Sequence, residues 1–154
     1  MSSDDANPPR EATISVLRDS GNKVTVMIQV PGLQRRRNIF KAIWHFFSKP
    51  SNPFRLSSNG FFSNYALTNA TLDFSIDVYE NKQALKEHSE VRQTYFVKIE
   101  QFPSRINPES AEFELVEADS GNCYFLLTAI KLDNLNTNWK EFQADHGTLD
   151  ASKV

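Results

Sequence analysis

The densest positive charge in this chain is Arg35-Arg36-Arg37, followed by Lys41. Guanidinium forks pair bidentately with oxyanions, so this run has the chemistry to hold an acidic protein segment or the phosphates of RNA. Residue types that could do covalent or metal chemistry are scattered instead. His45, His88 and His146 stand far apart in three different kinds of segment, without the spacing that metal ligation demands. Cys123 is the single cysteine, which excludes an internal disulfide framework and a thiolate-rich zinc site. Placed at the start of an apolar strand, it reads as a buried structural thiol rather than a nucleophile. No serine occupies a Gly-x-Ser-x-Gly elbow, and no glycine-rich phosphate loop is present. Asp73, Ser75 and Asp77 share a strand face, where outward carboxylates keep an edge soluble. The expectation is a protein without catalytic activity, metal, cofactor or small-molecule substrate.

The positive run belongs to the most strongly patterned stretch of the chain. From Gln34 to Lys49, Ile39, Phe40, Ile43, Trp44, Phe46 and Phe47 recur at three- and four-residue spacing, with polar and basic residues opposite them. Pro31-Gly32 ends the preceding strand and Pro50 stops the run, so the spacing predicts a central amphipathic helix over 34–49 with Trp44 and Phe47 buried. The arginines then sit at a helix N-terminus, against the favourable direction of the dipole, a cost that an acidic or phosphate partner would offset.

The other elements read as strands. Thr13–Leu17 and Lys23–Val30 flank Asp19-Ser20-Gly21-Asn22, and Glu112–Val116 and Cys123–Ile130 flank the same four letters at 119–122. Both are hairpin turns in which glycine or asparagine takes positive φ, and turn chemistry alone accounts for the repeat. Leu72, Phe74, Ile76 and Val78 alternate with polar residues, as do Tyr95, Val97 and Ile99. Residues 80–90 are hydrophilic and briefly helical. Ser51-Asn52-Pro53 and Ser57-Ser58-Asn59-Gly60 mark a long polar connection, pinned by Phe54, Phe61, Phe62 and Tyr65. Leu132, Leu135, Trp139 and Phe142 predict a short C-terminal helix, with Asn138 and Glu141 in its cap.

The fold class expected is α+β: a mostly antiparallel sheet of hairpins, one main amphipathic helix packed on it, and the short C-terminal helix. With 154 residues, 40% hydrophobic and 23% charged, the chain has the balance of one globular domain, placed at 12–144 between a flexible lead at 1–11 and a flexible tail at 145–154. The N-terminus lacks the basic start and apolar run of a signal peptide, and no apolar run approaches the ~18 residues of a membrane helix. An intracellular protein, cytoplasmic or nuclear, with no membrane partner is expected. The formal charge of −2 and pI near 5.9 supply no global attraction to phosphates.

From Asn22 to Phe102 the chain resembles the N-terminal domain and first linker of Argonaute proteins. Lys23–Pro31 looks like that family's early strand ending at proline, and Arg35–Phe47 like the arginine-led helix after it. Asn59-Gly60 and Asn64-Tyr65-Ala66-Leu67 stand where the family has an Asp-Gly loop and a Leu-Tyr-Thr-like strand. Leu72–Ile76 and Tyr95–Ile99 resemble the paired strands leading into the linker. After Phe102 the helical linker pattern is missing, and the chain is too short for a guide-binding or nuclease domain. The resemblance implies a non-catalytic module related to RNA silencing. Two ligands stay open: a protein partner, gripped by a sheet edge or by the aromatic surface of Phe54, Phe61 and Phe62, or RNA, met by Arg35, Arg36, Arg37 and Lys41.

Overall fold

The computed structural model describes residues 7–36 and 49–154. It is α+β, with two mostly antiparallel four-stranded sheets and a short C-terminal helix. In chain order the strands are β1 (Arg10–Glu11), β2 (Thr13–Asp19), β3 (Lys23–Gln29), β4 (Gly60–Leu67), β5 (Leu72–Val78), β6 (Gln93–Ile99), β7 (Ile106–Glu117) and β8 (Cys123–Lys131). Among the described residues two helices, α1 (Lys82–Lys86) and α2 (Trp139–His146), precede a closing 3-10 turn at Ala151–Lys153. One sheet has the order β1-β6-β5-β4, the other β2-β3-β8-β7, and only β1 runs parallel to its neighbour.

The alternating patterns become the two inner faces. Leu72, Phe74, Ile76 and Val78 of β5 meet Val24, Val26 and Ile28 of β3 and Phe125, Leu127 and Ala129 of β8 in one buried core. Phe62 of β4 lies 5.8 Å from Phe125, and Tyr65 6.1 Å from Phe113, so rings bridge the sheets directly. β8 occupies the middle of its sheet but is buried on one face: its other face carries Ile130 in solvent. Both Asp-Ser-Gly-Asn turns close hairpins as expected, with φ of 99° at Gly21 and 87° at Gly121.

Several expectations change. Residues 37–48 lie outside the described residues, and with them Arg37, Lys41 and the burial expected of Trp44 and Phe47. The start of the predicted helix is described and is extended: Arg35 forms a β-bridge with Ser57. The Gln34 carbonyl accepts the Ser58 amide and the Arg36 amide donates to the Leu56 carbonyl, so this pairing runs across the chain as in a strand and not along a helix. Phe61, Phe62 and Tyr65 are not in a loop but in β4, whose pattern is hidden by a bulge between Phe62 and Asn64. The lead takes part in the fold, since β1 pairs with Tyr95 and Phe96 and the Ala12 amide donates to the Phe96 carbonyl as the chain crosses between sheets. The tail is docked as well: Leu149 and Asp150 are buried, and the Asp150 carboxylate accepts the amides of Glu100 and Gln101. Leu132 and Leu135 are exposed outside α2, which begins at Trp139.

Candidate functional site

At one end of the molecule the path from β3 to β4 folds into a small two-stranded ladder. Gly32, with φ of 84°, turns the chain after β3, and Leu33 is buried. The Ser58 amide then donates to the Gln34 carbonyl at 2.9 Å and the Arg36 amide to the Leu56 carbonyl at 2.9 Å, with Arg35 facing Ser57 between them. Arg35 and Arg36 are exposed, and the ladder brings Arg55 to the same place, also exposed. Among the described residues none of these three guanidinium groups forms an ion pair.

Asn59 holds the ladder. It is fully buried. Its side-chain oxygen accepts from the Gln34 amide at 2.8 Å and the Ser57 hydroxyl at 3.1 Å. Its amide nitrogen donates to the carbonyls of Gly32 at 2.9 Å and Tyr79 at 2.7 Å. Gly60 follows in a tight space, because a Cβ there would stand 2.8 Å from both Ile76 Cδ1 and Leu33 Cδ2 and would push those buried side chains aside.

Beside the arginines, the segment from Lys49 to Ser58 crosses the open side of the sheet pair. The Phe113 amide of β7 donates to the Pro50 carbonyl at 2.8 Å, and Lys49 pairs with Glu114 at 3.1 Å. Phe54 arrives at β4 with its ring edge-on to Tyr65 at 5.0 Å and Phe62 at 5.6 Å. Phe54 remains 48% exposed, the outer end of an aromatic column that continues through Phe62 to Phe74. The structure therefore joins Phe54 and Phe62 but separates Phe61, which pairs with Asp77 on the opposite face of the sheet and is 54% exposed. Burial pushes the Tyr65 phenol up to about 12, so it stays protonated beside Phe54.

Other reactive types are placed as structure. Cys123 is buried, and its thiol is pushed up first by that burial and then by the Glu117 carboxylate, leaving little thiolate. His88 lies just beyond α1 with φ of 52°, whereas His146 packs on Phe142 at 4.5 Å. Among the described residues no three of His, Cys, Asp and Glu group as a metal site would require, and no helix is long and apolar enough to cross a membrane. A groove of about 710 Å3 beside α1 is lined by Glu80, Glu87 and Glu90 with Arg92, and is acidic rather than basic.

Arg55 and Asn59 escape sequence reasoning. Arg55 stands alone in a polar connection, where only its pairing register reveals its neighbours, and Asn59-Gly60 reads first as a turn. Compared with family models, with curated proteins and with solved structures, the chain shows no match.

Proposed function

We propose that this protein is a non-catalytic interaction module that binds a protein partner through Arg35, Arg36 and Arg55 with Phe54 beside them. The observation that carries this is the ladder, which gathers exposed arginines that form no ion pair among the described residues next to a half-exposed ring whose back is fixed by Phe62 and Tyr65. Arginine and aromatic residues dominate binding energy at protein interfaces, and a ring already held in place loses little conformational freedom on binding. The partner's matching surface is acidic. RNA is the less favoured ligand, because the chain carries a net −2 and its groove beside α1 is lined by carboxylates. The resemblance from Asn22 to Phe102 assigns the module to RNA-silencing machinery inside the cell, in the cytoplasm or nucleus.

Selection from a random peptide library against the intact protein tests this reading. Enriched peptides should be acidic, and the Arg35→Ala/Arg36→Ala/Arg55→Ala variant should lose them while keeping its melting temperature within a few degrees, since exposed substitutions cost about 0.5 kcal/mol or less each. Submicromolar affinity for single-stranded RNA at physiological salt, lost in the same variant, would replace the protein partner with RNA.

A further inference from the structure

β4 is the outer strand of its sheet, and among the described residues no backbone group outside β5 pairs with Phe61–Leu67. The chain just upstream already shows what that edge accepts. Successive residues of a strand direct their backbone groups to alternate sides. The Asn59 carbonyl takes the amide of Tyr79, which follows β5, so the Ser58 amide points the other way, and there it meets Gln34. Gln34–Arg36 is thus a short added strand on the side away from β5, and beyond it the same side of β4 runs on without a partner among the described residues.

The side chains along this edge are graded. Phe62, Tyr65 and Leu67 point inward but are only partly buried, because the sheet pair is open there, and Phe54 leans over them. Phe61, Ser63, Asn64 and Ala66 face solvent. At the Gly60 end stand Arg35, Arg36 and Arg55.

Resting on the reading above, we infer that β4 takes an extended segment of the partner as a further strand, with apolar residues at alternate positions over Phe54 and Tyr65 and a carboxylate-rich end against the arginines. Main-chain bonds then give affinity, while the pockets and charges select the sequence. The carboxylates belong at that end alone, since Asp73 and Asp77 make the neighbouring outer face acidic. A second copy of this chain is the poorer occupant, because the bulge at Phe62–Asn64 twists the edge away from flat pairing with another rigid sheet. Antiparallel pairing, the more stable of the two, puts the carboxylates at the segment's C-terminal end.

The probe is a fluorescent peptide of about nine residues, alternating valine and threonine and ending in three glutamates. Two further versions are N-methylated at alternate amides, one set in each register. Bound to the intact protein, the peptide should slow amide exchange across Phe61–Leu67. One methylated version should bind about tenfold or more weakly and the other almost normally, because only one register faces β4. The triple-arginine variant should also bind about tenfold more weakly. If both methylated versions bind like the parent, the added strand is overturned while the acidic partner stands. If removing the glutamates changes nothing, the arginine contact itself is overturned, and failure of the probe to bind or to protect β4 overturns the inference.

Discussion

Asn59 ties three backbone segments together with one side chain, and every one of its polar atoms is used. Asn59→Ala would leave the Gln34 amide and the Gly32 and Tyr79 carbonyls without their partners in a site closed to water. The expected cost is about 2–4 kcal/mol, read as a lower urea midpoint. Lys131 is the second residue of this kind. Its ammonium lies 2.7 Å from the Asp19 carboxylate with both side chains essentially out of solvent, and it also donates to the Thr137 carbonyl at 2.8 Å. The same carboxylate accepts the amides of Gly21 and Trp139, both at 2.9 Å. Lys131→Met removes one charge and strands the other, so urea denaturation should show a loss of about 3–5 kcal/mol.

The element that depends on this pair is α2. Asp19 meets its first amide, Asn138 caps it by accepting from Glu141 at 3.0 Å, and Gly147 closes it with φ of 71°. What docks the helix is Trp139, stacked on Phe102 at 5.3 Å and donating from its indole to the Ser104 hydroxyl at 3.0 Å. Trp139→Ala should cost about 3–5 kcal/mol. Trp139→Phe keeps a ring on Phe102 and gives up the hydrogen bond, for about 1–2 kcal/mol by the same denaturation measurement. The segment after α2 belongs to this unit. Removing residues 148–154 strips the buried Leu149 and the Asp150 carboxylate from the end of β6, and the truncated chain should melt several degrees lower.

For the whole molecule, stability should have a flat neutral range with two flanks. Burial pushes the Asp19 carboxyl up, but the Lys131 ammonium and the amides of Trp139 and Gly21 outweigh it and hold the carboxyl below its ordinary value. At Asp150 burial likewise opposes the Ser152 hydroxyl and the Glu100 amide, with the same net lowering. For both groups the unfolded chain binds protons first as pH falls. Their contribution is complete above the unfolded carboxylate pKa of about 4 and is lost as pH falls through the lower folded values. Tyr65 acts in the opposite sense: its raised phenol favours the folded state below about pH 10 and that support is lost as pH rises toward about 12. Urea midpoints measured across pH should show the acid flank, and ultraviolet absorbance should show a tyrosine ionisation at about pH 12.

The sequence by itself determined the short-range features. The period of two in Leu72–Val78 and Lys23–Val30, the glycines at both Asp-Ser-Gly-Asn turns and the Asn138 cap act within a few residues, so their letters suffice. Tertiary structure decided how these pieces meet. Two separate sheets, rather than one, follow from a chain that steps across at Ala12, between β3 and β4, and after Phe102, and no local pattern says which sheet each strand joins. β4 was obscured because its bulge breaks the alternation that identifies a strand. Lys131 looks like an ordinary strand-end charge until it meets Asp19, 112 residues away. The candidate site has the same history: Arg35 and Arg36 announce themselves as charge, but the ladder with Ser57 makes them extended and adds Arg55. Pairing across such distances is chosen by the sum of many weak contacts in the folded core, which no single stretch of residues contains.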